Sequence, residues 1–78
     1  MDREVPKEFI QWCKDGDWIR HSYSTLLKLY ENKFIAVRNY EVLMTDTNEM
    51  RLVRRLQEKF GAENTYNIKR ELIRKYIN

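Results

Sequence analysis

Arg51, Arg55 and Lys59 recur at i, i+4 and i+8, with Arg54 beside them, opposite an apolar stripe of Leu52, Val53, Leu56 and Phe60. On an α-helix that spacing gathers the cations on one face. Lys69, Arg70, Arg74 and Lys75 follow in the next segment, and Asn64, Thr65, Tyr66 and Asn67 open it. Two successive basic helices suit the major groove of double-stranded DNA, where Arg and Lys meet phosphates and guanine edges. Asn and Thr side chains add contacts to phosphates and base edges. The candidate nucleic-acid-binding set is therefore Arg51, Arg54, Arg55, Lys59, Asn64, Thr65, Asn67, Lys69, Arg70, Arg74 and Lys75. The fit to a repressor-type helix-turn-helix is loose. With Gly61 as the turn glycine, Asn67 and Arg70 fall where apolar residues belong. A second register, over Ser24–Asp46, offers only Arg38, Asn39 and Glu41 as polar readers.

Ten aromatic residues in 78 are many for so small a core. Trp and Tyr supply interface area with few rotatable bonds. Trp12 and Trp18 are the candidate partner-binding residues, as an apolar patch for a protein partner or for a second copy of the chain. A homodimer is expected, since small domains gain stability by associating. A two-fold dimer would also double a weak basic surface.

Catalysis finds little support. Cys13 and His21 lack an orienting third group, and Cys13 reads as a small buried hydrophobe on the first helix. Asp15, Asp17, Asp46 and Glu49 stand at expected helix starts or turns, where capping explains a carboxylate better than acid–base chemistry. Gly16 and Gly61 are the only glycines, so no phosphate-cradling loop exists. One cysteine and one histidine cannot make a self-contained zinc site or an internal disulfide. No enzyme activity, cofactor or metal is expected.

The elements that must position these residues follow from the chain as a whole. Seventy-eight residues with formal net charge +3 make one domain, 1–78. Residues 1–46 carry seven Lys/Arg and eight Asp/Glu, and residues 47–78 carry eight and four, so the basicity is C-terminal. No apolar run reaches the roughly 18–20 residues that cross a bilayer. The start, Met-Asp-Arg-Glu-Val-Pro, lacks the apolar stretch of a signal peptide, so a cytoplasmic location without membrane contact is expected.

Helical spacing predicts five short helices and an all-α domain, helix-turn-helix-like. The first spans about 6–14, opened by Pro6 and stopped by Gly16. The second, about 17–31, is capped by Asp17 and striped by Ile19, Tyr23, Leu26, Leu27 and Tyr30. A short third helix covers about 36–44, with a β-ribbon near 34–37 as the alternative. The fourth begins at Asp46, with Glu49 in a box-like arrangement, and ends at Gly61. The fifth, about 65–77, carries Ile68, Leu72 and Tyr76. The expected function is that of a small accessory or regulatory DNA-binding protein, acting as a dimer through its last two helices. A helical adaptor or inhibitor, docking through exposed aromatics, is the alternative.

Overall fold

Phe34-Ile35-Ala36-Val37 decides the architecture, because an extended chain sends successive apolar side chains to opposite faces and both must be covered. In the computed structural model, which describes residues 5–75, this run lies in strand β1 (Lys33–Arg38). Strands β2 (Glu41–Asp46) and β3 (Lys69–Ile73) flank it antiparallel in the order β2-β1-β3. Helices α1 (Lys7–His21) and α2 (Tyr23–Tyr30) precede the sheet, and α3 (Glu49–Phe60) with the short α4 (Ala62–Thr65) links β2 to β3. The protein is α+β, which corrects the all-α, helix-turn-helix expectation.

Each face of β1 builds its own core. Ile35 and Val37 join Ile19 and Leu26 of the first two helices and Ile73 of β3, with Trp18, Tyr23, Leu27, Tyr30 and Val42 packed around them. On the other face Ala36 joins Leu52, Leu56 and Ile68, with Phe34, Leu43, Met44 and Phe60 alongside. The β1–β2 register shifts between Ala36, opposite Met44, and Val37, opposite Val42. Leu43 is the extra residue of that bulge, which turns both Leu43 and Met44 toward α3.

The β1–β2 connection is two residues long, and both are left-handed: Asn39 at φ 52° and Tyr40 at φ 62°. Hairpin turns of this hand match the twist of the strands, but they favour glycine at the second position. Here a carboxylate compensates. Asp15, fully buried on α1, accepts from the Asn39 amide at 3.1 Å and the Tyr40 amide at 2.9 Å, and Gln11 donates to it at 3.0 Å. The carboxylate caps backbone N–H groups as its type suggests, yet those groups lie on a distant hairpin.

Each departure from the expected helices has a physical reason. The 36–44 segment spaces Ala36, Tyr40, Leu43 and Met44 like a helix, but its centre is the left-handed turn just described. The 65–77 segment ends its helix at Thr65 and becomes β3, because β1 needs hydrogen-bond partners on its second edge. Tyr76 and Ile77, expected in that stripe, lie outside the described residues. Gly16 does not stop α1, which runs through it with Asp15 and Ile19 buried on either side. Asp17 is therefore inside α1, paired with Arg20, and α2 starts only after Ser22. At α3 the cap is Asn48, whose side chain accepts from the Arg51 amide at 2.9 Å, rather than Asp46. Gly61, at φ 89°, does end α3.

Candidate functional site

The basic surface divides on folding. Strand alternation sends Lys69 to the α1/α2 side of the sheet, in register with Val37, and Arg70 to the α3 side, in register with Ala36. Among the described residues no second basic helix lies beside α3. Of the expected set, Arg51, Arg54, Arg55 and Lys59 do share the exposed side of α3, opposite the buried Leu52 and Leu56.

Two of these four also hold the fold. Asp46, at the end of β2, is 8% exposed and accepts from Arg51 Nε at 2.9 Å and Arg51 Nη2 at 2.6 Å, and from Arg55 Nη1 at 3.1 Å. Arg55 Nη1 also donates to the Thr45 carbonyl at 3.1 Å. These guanidinium bonds, with the Asn48 amide, hold the Asp46 carboxyl well below its ordinary 3.8, and the same contact raises the Arg51 guanidinium. A folded-state shift of this sign contributes stability that is fully present well above the ordinary value and is lost progressively as pH falls below that value toward the lower folded-state one. The stability gap between the protein and Asp46→Asn is therefore expected to narrow when urea midpoints are compared at pH 6 and pH 3. An equal gap at both pH values would remove the ion pair from the account.

The remaining expected residues have mostly local tasks. Asn64 Nδ2 donates to the Phe60 carbonyl at 2.7 Å and Thr65 Oγ1 to the Gly61 carbonyl at 3.0 Å, so both finish the end of α3. The Asn67 carbonyl accepts from Arg38 at 3.0 Å. Lys59 lies 5.6 Å from the Phe60 ring centroid, and Arg70 Nε is 4.0 Å from Glu49 Oε2. Arg74 follows β3, its backbone N–H donating to the Tyr23 hydroxyl at 2.9 Å while that hydroxyl donates to the Arg74 carbonyl at 2.7 Å. Lys75 is exposed next to it.

A second surface forms where α1 outruns the core. Residues 7–14 contain no buried side chain, and the first buried position on α1 is Asp15. The stripe Val5, Phe9, Trp12, Gly16, Ile19 and Tyr23 is continuous at i, i+4, i+7, i+11, i+14 and i+18. Its lower half is covered by the sheet, and its upper half is not. Phe9 and Trp12 stack with ring centroids 6.1 Å apart and planes within 11°. Lys69 passes Gly16 and sets its ammonium 4.2 Å from the Trp12 centroid. Across from them stands Tyr66, 84% exposed, in the turn before β3. Pro6, Glu8, Phe9, Trp12, Tyr66 and Asn67 line an open groove of about 490 Å³.

Of the two expected partner-binding tryptophans, only Trp12 belongs to this groove. Trp18 is half-buried against the α1/α2 core and lines a separate depression with Leu29, Tyr30, Tyr40 and Val42. Phe9 and Tyr66 are the residues sequence reading passed over. The signal for Phe9 was present, since the stripe runs unbroken through a stretch with no other stripe to face. Cys13 is exposed rather than buried. Among the described residues no three His, Cys, Asp or Glu side chains converge as metal ligands, and no helix is long and apolar enough to cross a membrane. Comparison with protein-family models, with characterised proteins and with solved structures gave no match for this chain.

Proposed function

We propose that this chain is a small interaction module that docks a partner protein through the aromatic groove at the free end of α1. One observation carries the reading. Seven large apolar side chains are exposed among the described residues, and four of them, Val5, Phe9, Ile10 and Tyr66, belong to this end of the molecule. A short chain with two small cores has use for such side chains inside, so a cluster left outside points to a partner. Removing them should spare the fold. The double variant Phe9→Ser with Tyr66→Ser is expected to melt within about 5 °C of the parent, since exposed substitutions change stability little. A photo-reactive benzoyl-phenylalanine at position 66 is expected to give discrete adducts in cells, which Phe9→Ser abolishes. The same probe at position 58, on α3, is expected to give none. Adducts from position 58 alone would overturn the reading, and so would unfolding of the double variant.

A second reading keeps nucleic acid, on the observation that Arg51, Arg54, Arg55 and Lys59 stay exposed along one side of α3. Arg55→Glu is a poor test, because Arg55 grips Asp46. Arg54→Glu with Lys59→Glu touches neither Asp46 nor Thr45 and reverses two charges. On this reading, fluorescence anisotropy of a labelled duplex shows salt-sensitive binding that the double reversal abolishes. No binding at low salt by the folded protein would end it.

A further inference from the structure

We infer that the outer edge of β3 pairs with the same edge of a second copy of the chain, antiparallel and centred on Arg70, so that two three-stranded sheets join into one. The contact is separate from the groove at the α1 end and goes beyond the docking reading. Backbone geometry comes first. A strand turns the N–H and C=O groups of successive residues to alternate sides, so every second residue faces away from its neighbour strand. Arg74 is such a residue: just past the last β1–β3 pair at Ile73, its N–H and its carbonyl both meet the Tyr23 hydroxyl, at 2.9 and 2.7 Å. Leu72 and Arg70, two and four residues earlier, therefore face the same way. Among the described residues no side chain or loop takes the hydrogen bonds of their outward groups.

The opposite edge of the sheet is guarded. There β2 carries the bulge at Leu43, and Arg55 Nη1 takes the Thr45 carbonyl at 3.1 Å. Bulges and long cationic side chains both deter strand pairing. On β3 the Tyr23 hydroxyl closes the Arg74 end alone, which confines an added strand to the stretch around Arg70 and Leu72.

Side-chain charge selects the occupant and the register. Lys69 and Glu71 lie on the α1/α2 face, in register with Val37 and Ile35, and border an open groove of about 460 Å³ with Gly16, Ile19, Arg20 and Tyr23. Among the described residues neither has an ion-pair partner. Two-fold pairing centred on Arg70 sets Glu71 across from Lys69 of the second copy, and Lys69 across from Glu71 of that copy. The Lys69 ammonium, 4.2 Å from the Trp12 ring centroid, keeps N–H donors for such a carboxylate. Centring on Glu71 would instead oppose two Glu71 carboxylates, and centring on Leu72 would need the Arg74 groups that Tyr23 holds. On the α3 face the two Arg70 side chains meet, with Glu49, 4.0 Å from Arg70 Nε, as counter-charge in each copy. A strand of another protein could use the open backbone groups, but the reciprocal Lys69–Glu71 pairs are what a second copy supplies.

The test is sedimentation equilibrium of the full chain from about 10 µM to about 1 mM. One strand edge falls short of the roughly 800 Å² per partner of a stable dimer, so a dissociation constant on the order of 100 µM is expected. Lys69→Glu and Glu71→Lys, each alone, make both cross-strand pairs repulsive and should weaken the dimer about tenfold or more. Mixed in equal amounts, the two variants restore both pairs, so a heterodimer about as tight as the parent dimer is expected. Circular dichroism checks that each variant is folded. A parent chain still monomeric at the highest concentration overturns the inference and leaves the edge to a strand of another protein. A dimer that survives the single variants, or one that the mixture does not recover, overturns it as well. So does a dimer abolished by Phe9→Ser with Tyr66→Ser, which would place the contact in the α1 groove. None of these results decides whether position 66 gives adducts with another protein, so the docking reading stands or falls separately.

Discussion

Asp15→Ala is expected to remove about 3 kcal/mol, the loss of acceptor bonds for two part-buried turn amides at about 1–3 kcal/mol each, partly offset by relief of carboxylate burial. Both amides belong to left-handed residues that have no glycine to ease their conformation. A domain of this size holds roughly 4–12 kcal/mol in all, so the melting temperature should fall by about 12–24 °C. Asp15→Asn keeps one carbonyl oxygen and should lose about half as much by the same reckoning. Hydrogen exchange supplies the local readout, since the Asn39 and Tyr40 amides should lose protection before the rest of β1 and β2. A loss below about 1 kcal/mol would mean that the turn holds itself and the carboxylate is incidental.

Leu52→Ala tests the opposite face of the sheet. Leu52 is fully buried among Ala36, Leu56 and Ile68. Truncation leaves a cavity that rigid neighbours fill only in part, so a loss of about 3 kcal/mol is expected, within the usual 2–5. Met50, two residues earlier on α3, is 74% exposed, and its change to Ala should stay within about 0.5 kcal/mol. Urea unfolding of the two variants measures the contrast. Similar losses from both would show that α3 is not seated on Ala36 through its Leu52 side.

The two surfaces differ in how they relate to the fold. On α3, Arg51 and Arg55 serve Asp46 while remaining about half exposed, so charge there is partly spent on holding β2 to the helix. At the α1 end, Phe9 and Tyr66 contribute little to either core. Side chains that fold the protein least are the freest to bind something else. This is the physical ground for preferring the aromatic groove over the basic helix.

Helical and extended readings competed most closely in two segments. Residues 36–44 and 68–76 both place apolar side chains four apart, a spacing a helix uses on one face and a strand uses on every second residue. Nothing local chose between them. For the first, Asn39-Tyr40 lacks the glycine that marks a hairpin turn, and the missing stabilisation comes from Asp15 on another element. For the second, the decision rests with the unpaired edge of β1. Phe9 was visible in the stripe on α1, whereas Tyr66 could join it only once the turn before β3 was folded back against that helix.

The sequence alone determined the local matters: a basic, amphipathic helix α3 with Leu52 and Leu56 inward and Gly61 at its end, and an apolar stripe along α1. These depend on spacing and on backbone preference within a turn or two. Tertiary structure decided that β1 is a strand, that Lys69 and Arg70 part to opposite faces, and that Asp15 serves a hairpin 24 residues further along the chain. Each of those depends on backbone groups or faces that only a distant segment could satisfy, and a single sequence does not carry that pairing.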